Sequence, residues 1–364
     1  MTRTNSINDI LPVDDVDYIE IYTGNARQAA NYYCRLFGFK IIGYSGLETG
    51  NREKASYIIQ NGDINIVLSG AYHSNSNISD FVKEHGDGVK DIALRVEDVI
   101  KTYDYIVKNG GNSIKEPYEI NDEYGTIKIA MISTFGDVVH TLVERKNYNN
   151  FLPGYIKLDE QHKENDTKLT RIDHIATCVD SMLKWTRYYE KALGFKSMEG
   201  FGVDKVSSEN TVLMAKFLQN GSEKVKFPIA ESPDNESSQI HEFLTFNNGP
   251  GVHHIAFLTD DIIKSVKTLK ENGFNFLHTP SEYYESLQDR VGEIDEPIDK
   301  LKEHSILVDR DDEGYLLQIF GHPMHDRPTL FFEIIQRKGS KGFGKANVRA
   351  LNESAAREQA KRGN

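Results

Sequence analysis

Apolar and polar positions along this chain form short strand-like alternations and helix-like stripes, and the same succession occurs twice. Val16–Thr23, VDYIEIYT, alternates apolar and polar residues, which puts one row of side chains on each face of a strand. The next segment, ARQAANYYCRLFGF, carries apolar residues at the spacing of an amphipathic helix. It stops at Gly38, and glycine suits the left-handed backbone that commonly ends a helix. Several runs rich in Val, Ile and Phe follow and read as strands. The predicted unit is βαβββ, used more than once in each half of an α+β protein.

The duplication is explicit. VDYIEIYTGNARQAANYYCRLFGFK, Val16–Lys40, returns without a gap as IDHIATCVDSMLKWTRYYEKALGFK, Ile172–Lys196. DGVKDIALRVEDV from Asp87 returns as PGVHHIAFLTDDI from Pro250, and VHTLVERK, ending at Lys146, returns as LFFEIIQRK, ending at Lys338. Three matches in one order define an internal repeat. Two domains are therefore expected, residues 1–150 and 169–340. Between them 151–168, polar and punctuated by Pro and Gly, reads as a linker, and 341–364 reads as a loop followed by a polar-rich helix. A length of 364 residues fits two domains.

Charge and composition narrow the classes of partner. With 43 basic against 55 acidic residues the net charge is −12, which disfavours nucleic acid and anionic membranes as partners. No apolar run approaches the ~18 residues of a membrane span, and MTRTNSINDILPVDD lacks the apolar core of a signal peptide, so a cytoplasmic location is expected. Two cysteines, Cys34 and Cys178, suggest no disulfide framework and read as buried small residues.

The repeat also supplies an internal control for chemistry. Aligned residue by residue, Tyr18 stands where His174 stands, Asp91 where His254 stands, and Thr141 where Glu333 stands. The second half thus puts two imidazoles and a carboxylate on three strands at matched inward positions. That set fits the facial triad that holds Fe(II) and leaves positions open for substrate and oxygen; zinc accepts the same ligands. The bland alternative is two satisfied core histidines and an ion-paired glutamate. Against it, an ionised carboxylate inside LFFEII needs a paired charge or a metal. Because neighbours on a strand face opposite ways, His254 is expected inward with Ala256, and His253 outward or at the rim.

Longer motifs resemble one family: YSGLETGNREKASY, HGDGVKDIAL, GDVVHTLVERKNY, ILVDRDDEGYLLQIF, DRPTLFFEIIQRKGSKGFGK and EQAKRG. Through nearly its whole length the chain is similar to the 4-hydroxyphenylpyruvate dioxygenases and the related hydroxymandelate synthases, of the vicinal-oxygen-chelate fold. The resemblance implies Fe(II) on His174, His254 and Glu333, O2 as co-substrate, and a small-molecule 2-oxo acid as substrate. It also implies a first domain without metal ligands. Decarboxylation of the substrate's own side chain would drive oxidation. The expected reaction is 4-hydroxyphenylpyruvate to homogentisate by ring attack, as in tyrosine catabolism, with 4-hydroxymandelate by benzylic attack, or the same chemistry on another 2-oxo acid, as the alternative.

Carried over position by position, the resemblance makes Gln239 and Gln318 substrate-orienting and Phe320 one of two rings that sandwich the substrate. Elsewhere this chain departs from the family. Ala215 replaces a serine, Ala230 an asparagine, His253 a glutamine, and Val348 the second sandwiching phenylalanine. Pro228 is the dioxygenase-type residue, whereas Val348 and Ala230 resemble the synthases. In the tail, Asn352 and Ala355 replace two apolar anchors, so a looser lid helix is expected. A homo-oligomer is expected for such folds. Two further readings stay open: an extradiol ring-cleaving enzyme, and a metal-free binding module on the same fold.

Overall fold

The structure, a computed structural model, describes residues 11, 13–158, 166–198, 206–208, 211–232 and 238–363. The middle of the expected linker, 159–165, lies outside the described residues. The first half runs β1 (Val13–Tyr22), α1 (Ala26–Phe37), β2 (Lys40–Ser45), β3 (Lys54–Asn61) and β4 (Ile64–Ala71). It continues with α2 (Asn77–His85), β5 (Gly88–Val96), α3 (Val99–Lys108), β6 (Ser113–Asp122), β7 (Gly125–Ser133), β8 (Val139–Glu144) and β9 (Ile156–Lys157). The second half repeats the plan with β10 (Leu169–Val179), α4 (Met182–Ala192), β11 (Lys196–Ser197), β12 (Val206–Ser208), β13 (Thr211–Gln219) and β14 (Lys226–Glu231). There follow α5 (Gln239–Phe246), β15 (Gly251–Thr259), α6 (Ile262–Glu271), and three short helices, α7 (Glu282–Glu285), α8 (Leu287–Val291) and α9 (Ile298–His304). The chain closes with β16 (Leu307–Asp311), β17 (Gly314–Phe320), β18 (Phe331–Lys338) and α10 (Lys345–Lys361).

Each half is one sheet in which two βαβββ units meet through their first strands. The first sheet has the order β6-β7-β8-β5-β1-β4-β3-β2-β9, and the second β11-β13-β14-β10-β15-β18-β17-β16 with β12 on β13. The helices form as their stripes require. Asn25 caps α1 by accepting from Gln28 N, and Gly38, at φ 72°, ends it by donating to Cys34 O.

Helices of each half pack between the two sheets. Phe37 and Tyr33 of α1 lie edge-on to Phe332 of β18 at 5.1 and 5.7 Å, and Phe37 meets Phe257 of β15 at 5.8 Å. From the other side Tyr189 of α4 bonds His140 of β8 at 2.7 Å. Ile255, Phe257, Phe332 and Ile334 therefore belong to a core shared with the first half. Alternation then turns His254, Ala256, Glu333 and Ile335 to the opposite, concave face. The concave face of the second sheet is consequently backed by α1 of the first half.

Candidate metal centre

Two irregularities of pairing build the centre. Between Ile172–Phe257 and His174–Ala256 the strand β10 carries an extra residue, Asp173, and between Ala176–His254 and Thr177–Val252 the strand β15 carries an extra one, His253. A bulge of this kind re-aims side chains and lets neighbours share a face. Asp173 thereby comes beside His174, its Oδ2 2.8 Å from His174 Nδ1. His253 comes beside His254, with the two Nδ1 atoms 3.2 Å apart. The strict alternation read from the sequence fails here, because His253 and His254 line the same cavity.

Parallel pairing of β15 with β18 sets Ala256 beside Glu333, and His174 pairs with Ala256 from the other side, so His174 and Glu333 share one row and His254 stands two residues along β15. Glu333 Oε2 lies 3.2 Å from His174 Nε2 and 3.4 Å from His254 Nε2. One ligand atom from each of the three falls within 4.8 Å of the others, and all three residues are buried. The fit to a metal ion is chemical as well as geometric. Burial raises the Glu333 carboxyl, but the two imidazoles outweigh it and hold it down to about 2. Burial lowers His174, yet Glu333 and Asp173 raise it on balance, while burial leaves His254 lowered.

Each ligand is in turn held. Arg337 clamps Asp173 with Nε to Oδ1 and Nη2 to Oδ2, both at 2.7 Å, and keeps that carboxyl well below its usual range against its burial. With Asp173 accepting at Nδ1, His174 presents Nε2 as its lone-pair atom. Gln318 donates Nε2 to Glu333 Oε1 at 2.8 Å and accepts from Asn347 Nδ2 at 2.8 Å. That fixes the carboxylate with Oε2 toward the imidazoles. The resemblance gives Gln318 to the substrate; here its amide also bonds Glu333 and Asn347 of α10.

The centre forms the floor of a largely apolar cavity that opens toward solvent, the kind of concave, mostly apolar setting in which small molecules bind. Gln239, Gln318, Phe320, Ala215, Pro228, Ala230, His253 and Val348 all line it with the three candidate ligands. Phe343, unremarked in the sequence apart from its GFGK setting, stacks on Phe217 at 4.4 Å and stands edge-on to His174 at 5.0 Å. Aromatic surface is thus present although Val348 is aliphatic. The C-terminal helix α10 is fastened by polar groups. Asn352 is buried and accepts from Gln239 Nε2, and near the end Arg362 pairs with Glu242 at 2.6 Å. Asn352 is therefore an anchor of another kind, whereas Ala355, the second replaced apolar position, lines a cavity beside the helix.

Asp173, Arg337, Asn347 and Phe343 were missed as site residues. For the first two a signal existed: Asp17 and Arg145 are their repeat partners and form the same bond, Nη2 to Oδ2 at 2.6 Å.

Paired βαβββ sheets with a cavity on the concave face define a class of protein, and residues 171–319 match it as the family described as "Glyoxalase/Bleomycin resistance protein/Dioxygenase superfamily". Residues 8–157 match the family described as "Hydroxyphenylpyruvate dioxygenase, HPPD, N-terminal". The chain is 42% identical to 4-hydroxyphenylpyruvate dioxygenase of Dictyostelium discoideum, covering 97% of this chain and 100% of the relative. It is 39% identical to the Aspergillus fumigatus protein of that name, covering 96% and 93%. Among solved structures, a triple mutant of 4-hydroxymandelate synthase from Streptomyces coelicolor superimposes with a TM-score of 0.84 at 30% identity, over 96% of this chain and 100% of that one. The chain belongs to the 4-hydroxyphenylpyruvate dioxygenase family. Among the described residues no helix is long and apolar enough to cross a membrane.

Proposed function

We propose that this protein is an Fe(II)-dependent dioxygenase that converts 4-hydroxyphenylpyruvate to homogentisate, with residues 169–340 as the catalytic domain. The observation that carries the reading is the buried cluster of His174, His254 and Glu333 at the floor of a largely apolar cavity. These three would hold the metal on one face, and when bound it supplies a chelation site for the 2-oxo acid and a place to activate O2.

The chain's own groups do the rest. Asp173 fixes the tautomer of His174. His253, kept neutral by burial and by its neighbour, would accept from His254 Nδ1 and so free Nε2 for the metal. Gln318 restrains Glu333. Phe217, Pro228, Phe320 and Phe343 wall the substrate's ring from water, while Val348 and Asn352 close the cavity from the lid helix. Confining the ring and excluding water is the protein's share of such a reaction.

The cavity also favours a second outcome at one point: Ala230 and Val348 leave room that would let the ring turn and expose the benzylic carbon, as in the hydroxymandelate synthases. Turnover of 4-hydroxyphenylpyruvate by the anaerobically iron-loaded protein, with products separated by chromatography, decides. Homogentisate with one O2 consumed per CO2 released is expected. Hydroxymandelate as the main product would transfer the reading to the alternative, and no oxidised product would end it.

A further inference from the structure

The concave face of the first sheet carries its own polar cluster, at positions where the second sheet is bare. Pairing sets Ser56 opposite Ser69 on β3 and β4, where β13 and β14 set Ala215 opposite Ala230. Glu20 pairs with Asp91 on β5 as Ala176 pairs with His254 on β15. The polar residues are joined: Ser56 Oγ lies 2.6 Å from Ser69 Oγ, Ser69 donates to Glu20 Oε1, and Lys54 Nζ reaches the same oxygen at 2.7 Å. Lys54 and Glu20 open on a solvent-open cavity whose other walls include Val67, Ile129, Tyr118 and Tyr155.

The pair has bonding capacity to spare. Both contacts to Glu20 fall on Oε1, and Oε2 has no hydrogen-bond partner among the described residues. Lys54 has three N–H donors and meets Glu20 Oε1 and, at 3.4 Å, Ser69 Oγ. Side-chain exposures of 28% for Lys54 and 13% for Glu20 show that both reach the cavity. A molecule with a single negative charge gains Lys54 and is repelled by Glu20, and one with a single positive charge meets the reverse. A molecule bearing an ammonium and a carboxylate on one carbon satisfies the two spare valences together, and aliphatic and tyrosyl walls suit an apolar remainder.

We propose that the first domain's cavity binds a free α-amino acid with an aromatic or large apolar side chain, its carboxylate on Lys54 and its ammonium on Glu20. The site is separate from the second domain's centre and does not depend on that centre's activity. Calorimetric titration of the full-length, iron-loaded protein with L-phenylalanine is expected to give saturable binding at one site per chain. 3-Phenylpropanoate and 2-phenylethylamine, each with one of the two charges, are expected to bind at least tenfold more weakly. Glu20→Gln and Lys54→Met are expected to weaken L-phenylalanine at least tenfold. Ile120→Trp, on the half-exposed edge strand β6, obstructs the cavity while leaving the ion pair and the core in place, and is expected to weaken it likewise. His254→Ala is expected to bind L-phenylalanine as the parent does. Absence of saturable binding, equal binding of either singly charged analogue, undiminished binding in Ile120→Trp, or loss in His254→Ala would each overturn the proposal.

Discussion

The two sheets share their backbone down to the bulges, yet one brings together a candidate ligand set and the other a closed set of hydrogen bonds. Asp17 and Lys90 are extra residues in the first half at the places of Asp173 and His253 in the second. Where His174, His254 and Glu333 converge, Tyr18, Asp91 and Thr141 satisfy one another: Thr141 donates its N–H to Asp91 Oδ1 at 2.9 Å and its hydroxyl to Oδ2, which Tyr18 meets at 3.4 Å. Electrostatics follow the partners. Burial raises the Asp91 carboxyl to about 7 because neutral donors only partly offset it. The equally buried Glu333 sits near 2 because it faces imidazoles. The scaffold fixes where three side chains meet, and residue type decides whether they close on each other or stay open to an ion.

The two sheets differ most in consequence at the carboxylate. Glu333→Ala is expected to lose iron on desalting and all turnover above background, assayed by metal analysis and oxygen uptake. Thr141→Ala, its repeat partner, should keep both and lose about 1 kcal/mol of stability with its hydrogen bond to Asp91. Retained iron in Glu333→Ala would refute the ligand assignment.

One shell further out, Asp173→Asn should weaken iron binding about 10–100-fold, as removal of a group orienting a metal-bound histidine does. Asp17→Asn breaks the matching arginine pair in the other half and should leave iron affinity unchanged. Both should lower the denaturation midpoint, since each disturbs a buried ion pair. Equal iron affinity in the two variants would show that Asp173 serves only the fold.

His253→Phe removes the acceptor beside His254 without removing a ligand, so iron should bind roughly tenfold more weakly, short of the complete loss expected for His254→Ala. If the two variants lose iron alike, His253 is itself a ligand and the repeat alignment misassigns the set.

The Asp91 carboxyl offers a test by pH. Its folded value, about 7, lies above the ordinary 3.8, so between these pH values the folded chain keeps a proton that the unfolded chain has released. Stability contributed by Asp91 is then full below about pH 4 and declines as pH rises through 7. Urea midpoints taken from pH 4 to 8 should show this decline, and Asp91→Asn should flatten it. An unchanged slope in the variant would assign the decline to other groups.

The smallest effect is expected in the pocket wall. Ala215→Ser with Ala230→Asn adds polar groups worth about 0.5–1.5 kcal/mol each when paired with substrate. KM for 4-hydroxyphenylpyruvate should fall, and the homogentisate share of product should rise or stay constant. A shift toward hydroxymandelate would show that these positions do not restrain the ring.

Much was legible in the chain because the repeat is local and gapless: the βαβββ units, the division into two halves, and the trio His174, His254 and Glu333, whose partners Tyr18, Asp91 and Thr141 mark the difference. Resemblance then supplied the chemistry. What the sequence could not supply was pairing. Whether His253 faces away from His254 depends on a residue inserted against β10. Whether Gln318 is free for substrate depends on Glu333 and Asn347 arriving from β18 and α10. Whether Asn352 loosens or fastens the lid depends on Gln239, more than a hundred residues earlier. Even the Ser56–Ser69–Glu20–Lys54 cluster is four ordinary polar residues until three strands align. Periodicity along one chain segment determines which face a side chain takes on an ideal strand or helix. Bulges, carboxylate partners and cavity walls are set between strands, where contacts distant in sequence select among the orientations that local pattern allows.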